Sequence, residues 1–416
     1  MDLVEHFFRH ESARLVAALT RIFGVDNLAL AEDVVQDAFL RALDAWKTQG
    51  IPENPSAWLM AVAKRRALDV LRRQRTARTF APEVGRQLDT ESVVDEAFAA
   101  HTIRDEQLRM MFSCCDPRLA EPAKLALILN MLCGFGAGEI ASAFLTGRAG
   151  IEKRIARGKQ LLASAERLFD LEDAEFTARL STVQRALYLL FNEGYHGADP
   201  ETAVRAELCH EALRLTALLG EYPPAATPTT YALAALMSLD AARLPTRLDA
   251  AGELSALVDQ DRSRWDARII AQGLALLERS ATGQEVTAYH VEAAIAAAHA
   301  SARSLAETDW RTIVSLYDRL MDIAPSPVVA LSRAIAVGQR EGPARGLEAL
   351  QAIEHRDRLS GYPFYQAALG EMELRRGNRT AARAHFQTAH NCARNGAELR
   401  FLEKRIRFAE VTPAQA

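Results

Sequence analysis

Lys64, Arg65, Arg66, Arg72 and Arg73 crowd one stretch, AWLMAVAKRRALDVLRRQRTAR, which ends at Arg78 and contains Asp69 as its single acid. Arg65, Asp69 and Arg72 stand at i, i+4 and i+7, so a helix presents them on one face. Such a face gains affinity for nucleic acid by neutralising phosphates and releasing counterions. A solvated charged helix face is the alternative, and charge alone does not separate the two. A second basic stretch, GEIASAFLTGRAGIEKRIARGKQLL, begins at Gly138. Ile140, Phe144, Ile151 and Ile155 can form the small core of two crossing helices, with a turn at Thr146–Gly147–Arg148. Arg148, Lys153, Arg154, Arg157 and Lys159 then face outward, as in a helix-turn-helix whose second helix enters the major groove. An ordinary helical hairpin is the alternative.

Other groups with chemical potential are fewer. Asn192, Glu193, Tyr195 and His196 follow the apolar run from Leu187 to Phe191. They could line a ligand pocket or hold the C-terminal part against the preceding domains, or simply close a helix at Gly194. Asp259, Asp261 and Asp266 alternate with Arg262, Arg264 and Arg268 at spacings that favour surface ion pairs. His290, His299, His385 and His390 lack metal spacing and read as structural. Cys114, Cys115, Cys133, Cys209 and Cys392 form no CxxC pair and read as apolar thiols of a reducing compartment. No P-loop, GxGxxG, GxSxG or HExxH motif occurs. No catalytic group, metal or cofactor is therefore expected, and the chain reads as a non-enzyme.

The elements that must carry these residues are helical nearly throughout. The chain has 416 residues, 49% hydrophobic and 25% charged, with a net charge of −4. That composition suits a soluble protein of several domains. No apolar run is long enough to span a bilayer, and MDLVEHFFRHESAR does not suit a secretory leader, so a cytoplasmic protein is expected. Phe8, Leu15, Leu19, Ile22 and Phe23 share one face of a first helix. Val35, Phe39, Ala42 and Trp46 share one face of a second, whose other face carries Asp33, Asp37, Arg41 and Asp44. Asn54 is a predicted N-cap with Pro55 at the first helical position, and Leu59, Ala63, Ala67 and Val70 form the inner stripe that follows. Breaks are expected at Gly194–Pro200, Gly220–Pro228, Leu244–Thr246 and Ala281–Glu285. Near the C-terminus, Leu369, Gly370, Ala382, Phe386 and Ala389 have the spacing of a tetratricopeptide-like helix pair, with Tyr317, Leu320 and Pro325 echoing part of another.

The block from Ala31 to Leu40 (AEDVVQDAFL), then Asn54–Pro55, Trp58–Leu59 and Ala63–Asp69 with Leu71–Arg73, resembles region 2 of bacterial sigma-70 family factors, in particular the extracytoplasmic-function group. Gly138–Leu162 resembles their region 4, although Leu145–Gly150 is unusually glycine-rich for that turn. Leu189–Tyr195, Asp259–Arg262 with Trp265–Asp266, and Ala324–Leu331 resemble the long C-terminal extension of one subgroup. The resemblance implies an all-α chain: a sigma region 2-like bundle at 1–78, a linker at 79–104 and a region 4-like helix-turn-helix domain at 105–170. A helical middle domain at 171–282 and a tetratricopeptide-like domain at 283–416 follow. It implies that Asp33, Gln36, Asp37 and Arg41 bind core RNA polymerase, through its clamp helices, with the flap as a further contact. Trp58, Lys64, Arg65, Arg66, Asp69, Arg72 and Arg73 would bind the −10 element of promoter DNA. Arg148, Lys153, Arg154, Arg157 and Lys159 would bind the −35 element. The extension would regulate, with an unknown protein or peptide as partner. Three other readings stay open: a conventional helix-turn-helix regulator, a scaffold acting through the repeats, and a hydrolase in the middle domain.

Overall fold

The computed structural model describes residues 2–24, 27–78, 100–143, 147–163, 173–196, 204–249 and 252–410. The chain is all-α: the described residues hold helices, and their nearest approach to a sheet is an isolated bridge between Leu248 and Leu254. It divides into two compact units, Met1–Ala186 and Leu187–Ala416.

In the first unit, α1 (Asp2–Phe23), α2 (Leu28–Gln49) and α3 (Pro55–Arg78) pack on one another. Small and branched side chains permit the close approach. Ala13, Leu15, Ala18 and Leu19 of α1, Ala31, Ala38 and Ala42 of α2, and Leu59, Ala63 and Ala67 of α3 are fully buried. Val70 and Phe39, expected on the inner stripes, are half-buried. The expected cap is present: Asn54 Oδ1 accepts the backbone N–H of Ala57 at 3.0 Å, with Pro55 opening the helix where no donor is needed. Helix α4 (Ala100–Cys114) packs against α1. Then α5 (Glu121–Leu127) runs into a wider π-turn at Ile128–Leu132, which also meets α1. Helices α6 (Ala137–Ala143) and α7 (Arg148–Ala163) complete this part. The expected domains 1–78 and 105–170 therefore both fall inside one compact unit. Burial places Cys114, Cys115 and Cys133 in the core as free thiols and pushes the Cys115 thiol up to about 12.

The division between units falls within α8 (Asp173–His196). The second unit continues with α9 (Ala206–Glu221), α10 (Pro228–Ala241) and the short α11 (Leu244–Arg247), where a break was expected. Gly194 does not close α8; the helix runs on to His196. A Cβ at Gly194 would lie 2.7 Å from the Arg205 carbonyl oxygen and 2.8 Å from Leu208 Cβ, so glycine is needed there for close helix approach. From α12 (Ala267–Ser280) each helix packs on its sequence neighbour: α13 (Ala288–Ser301), α14 (Trp310–Ile323), α15 (Pro327–Glu341), α16 (Pro343–Gln351), α17 (Pro363–Arg375), α18 (Arg379–Asn391) and α19 (Gly396–Glu410). Successive nearest-neighbour packing is the arrangement of a quasi-one-dimensional stack. In α17 and α18 the spaced small residues act as expected. Ala382, Phe386 and Ala389 are buried, and Phe386 lies so close to Gly370 that a Cβ there would meet its ring at 2.7 Å.

Candidate nucleic-acid and polymerase interface

In α2 the buried residues Ala31, Val34, Val35, Ala38 and Ala42 turn one side inward. Asp33, Gln36 and Arg41 are exposed on the other side, and Asp37 is half-buried. Leu40 and Leu43 share that outer side and are 62% and 42% exposed, with Ile51 beyond the helix at 64%. Apolar side chains this bare, flanked by acids, mark a surface suited to a protein partner. They were absent from the expected contact residues. Their signal was available, because Leu40 and Leu43 stand out of phase with the buried stripe.

Helix α3 lays its charges over the core formed by Leu59, Ala63 and Ala67. Arg65, Arg72 and Arg73 are exposed, whereas Lys64, Arg66 and Asp69 are half-buried. Arg66 Nε lies 2.9 Å from Asp37 Oδ2, and Arg41 Nε lies 3.3 Å from the same oxygen. The carboxylate expected to meet a protein thus also orients a guanidinium expected to meet DNA. Trp58 is half-buried, edge-on to Trp46 with ring centroids 5.6 Å apart, and Trp46 in turn meets Phe7 at 6.2 Å. Its indole belongs to this aromatic cluster and offers only part of its surface to a base.

Ile140 of α6 and Ile151 and Ile155 of α7 form the expected small core; Phe144 and the turn residues Leu145 and Thr146 lie outside the described residues. Arg148, Lys153 and Arg157 are exposed, with Arg148 held to Glu152 at 2.8 Å, and Arg154 is half-buried. Lys159 departs from the expected outer face. It stands four residues beyond Ile155, beside the buried stripe, and its ammonium donates to Glu32 of α2. Cations on α3 and α7 that remain exposed can meet phosphates directly.

The four residues expected to share a regulatory pocket separate. Tyr195 is 2% exposed and stacks on Phe191, and Asn192 and Glu193 are half-buried. His196 is exposed and lines a small cavity with Arg247, Leu254, Phe364, Arg394, Asn395 and Glu398. The expected surface ion pairs of Asp261 and Asp266 are replaced by backbone bonds. Asp261 Oδ1 accepts from Ser263 N, and Asp266 Oδ1 caps α12 by accepting from Arg268 N and Ile269 N. His290 closes a capping box with Thr287, and His299 packs edge-on to Trp310. Among the described residues no group of three or more His, Cys, Asp or Glu is arranged to hold a metal, and no helix is long and apolar enough to cross a membrane.

Residues 7–77 match a family described as Sigma-70 region 2. Residues 179–281 match a family of unknown function, DUF6596. Over 402 residues the chain is 37% identical to an uncharacterized protein, R00370, of Rhizobium meliloti (strain 1021), covering 96% of this chain and 94% of that one.

Proposed function

The chain belongs to the sigma-70 family, with a region 2 and a helical extension, and from that premise we propose that it directs initiation at promoters defined by −35 and −10 elements. As a sigma factor it acts in transcription initiation, binds core RNA polymerase and promoter DNA, and is not an enzyme. Its contribution is binding energy directed to positioning and strand separation. The observation that carries the reading is the pair of neighbouring surfaces within residues 7–77. One is the α2 face of Asp33, Gln36, Leu40 and Leu43; the other is the exposed row of Arg65, Arg72 and Arg73 on α3.

In this reading the α2 face meets the clamp helices of core polymerase. Arg65, Arg72 and Arg73 hold the −10 strand by phosphate contacts, and the exposed part of Trp58 supports a base. Helices α6 and α7 act as the helix-turn-helix, with Lys153, Arg154 and Arg157 toward the −35 element. Arg148 and Lys159, already bound to Glu152 and Glu32, contribute less. The extension regulates through its stacked helix pairs, which read as degenerate tetratricopeptide-like units. Run-off transcription with core polymerase on the chain's own upstream DNA and on genomic fragments tests this. Discrete transcripts that require the protein are expected. Absence of both transcripts and co-elution with core would overturn the reading. A chain truncated after residue 170 tests regulation: unchanged promoter activity and specificity would remove that role from the extension.

A further inference from the structure

Two sequence blocks of the extension, Leu189–Tyr195 and Asp259–Trp265, meet in the second unit around one guanidinium. Arg243 lies 5.9 Å from the Tyr195 ring centroid and 5.5 Å from that of Trp265. Arg247 sits over the other side of the cluster, 4.6 Å from the Tyr195 ring, and Arg262 is 5.0 Å from Trp265. The aromatic faces offer each cation a partial partner, but among the described residues Arg247 and Arg262 have no carboxylate within 4.0 Å, unlike Arg243 and Arg394. Asp240 lies 3.4 Å from Arg243. Glu398 is committed to Arg394, accepting from both its backbone and its side chain. Glu193 and Glu307 act electrostatically on Arg394 and Arg262. The cations are felt by a neighbour: burial, then Arg243 and Arg262, pushes the His299 imidazole down to about 3. Desolvation and Arg243 likewise lower Arg247 and Arg262.

Beside these cations lies the cavity of about 20 Å³ lined by His196, Arg247, Leu254, Phe364, Arg394, Asn395 and Glu398, whose carboxylate is held by Arg394. Arg247 donates Nη2 to the Tyr195 carbonyl at 3.1 Å, while its Nε is buried with no hydrogen-bond partner among the described residues; the hydroxyl of the 2% exposed Tyr195 is in the same condition. A buried guanidinium with an open donor is a costly arrangement unless an acceptor completes it. The cavity admits one oxygen-sized group.

We propose that the extension carries a carboxylate-binding site, in which Arg247 holds an oxygen of a small organic acid or of a peptide's C-terminus, with His196 and Asn395 in its lining. A carboxylate oxygen fits a cavity of this volume, and Glu398 in the lining disfavours a more highly charged phosphate. The site lies outside the promoter-binding surfaces, and its test is a binding measurement that does not depend on them.

Thermal unfolding of the full chain at fixed ionic strength, with acetate or N-acetylglycine replacing chloride, reads the site. A saturable rise in the second unit's midpoint is expected, roughly 3–6 °C at ten times Kd. N-acetylglycinamide, which lacks the charge, should have no effect. Arg247→Met should lose the rise, and His196→Leu should weaken it at least threefold in apparent Kd, with circular dichroism checking that each variant folds. A response to N-acetylglycine at much lower concentration than to acetate would assign the peptide terminus; equal responses would assign a free acid. No saturable rise in the parent chain, or an undiminished rise in both variants, would overturn the proposal.

Discussion

The two units deploy arginine in opposite ways. On α3, alanine and leucine fill the core while Arg65, Arg72 and Arg73 stand in solvent. In the second unit, Arg243, Arg247 and Arg262 turn inward and stack on Tyr195 and Trp265. An exposed guanidinium contributes little to stability and stays available to a ligand. A buried one is committed, and its removal leaves partners that were built around it. Arginine content is therefore a poor guide to function until burial is known. The first unit's exposed arginines should govern affinity for nucleic acid, whereas Arg243 and Arg262 of the second unit should govern folding; Arg247 stands apart because its Nε keeps an open donor.

The sharpest test is Arg243→Met. It strands Asp240 and uncovers two aromatic faces, and we expect a loss of about 3–5 kcal/mol in the second unit, read by urea unfolding. A loss below about 1 kcal/mol would break the contrast. By comparison, Arg65→Ala, Arg72→Ala and Arg73→Ala together should leave unfolding nearly unchanged. They should lower the salt slope of promoter-DNA binding by about 2, measured by titration at several salt concentrations.

A pH effect should be confined to the second unit. Burial raises the Glu292 carboxyl to about 7, and Tyr188 Oη donates to it at 3.0 Å. The folded state then holds this proton more tightly than the unfolded chain. Stability from this group is full below about pH 4.5 and declines as pH rises to about 7. This contribution should fall by about 1–3 kcal/mol, read as the difference between the parent chain and Glu292→Gln in unfolding measured across that range, because the lowered His299 adds a rise of opposite sign to both. Gly194→Ala should cost about 1–3 kcal/mol by overpacking against the fixed Arg205 carbonyl, again by urea unfolding. The smallest effect is expected for Lys159→Ala. Losing its half-exposed pair with Glu32 should cost under about 1 kcal/mol, and a larger loss would make that contact a principal tie between α2 and α7.

Much of this was legible along the chain. The cap at Asn54, the inner stripe of α3, the small core of α6 and α7 and the Gly370–Phe386 approach follow from local spacing, because helix periodicity and cap chemistry act within a few residues. The same locality misjudged Gly194. Glycine next to a helix end reads as a stop, and only the crossing with α9 shows that it is held inside the helix by lack of space. Asp261 and Asp266 were misjudged for a related reason. Their arginine neighbours in sequence suggested ion pairs, whereas the turns brought backbone donors closer.

By itself the sequence determined an all-helical chain, the faces its helices bury, and a region 2 whose motif residues lie within reach of one another along two helices. Tertiary structure alone decided which charges remain available. Lys159 meets Glu32 across 127 residues, Arg66 meets Asp37 from another helix, and Arg243 joins two distant blocks of the extension. Pairings of this kind depend on how helices cross, and no period within a single helix carries that information.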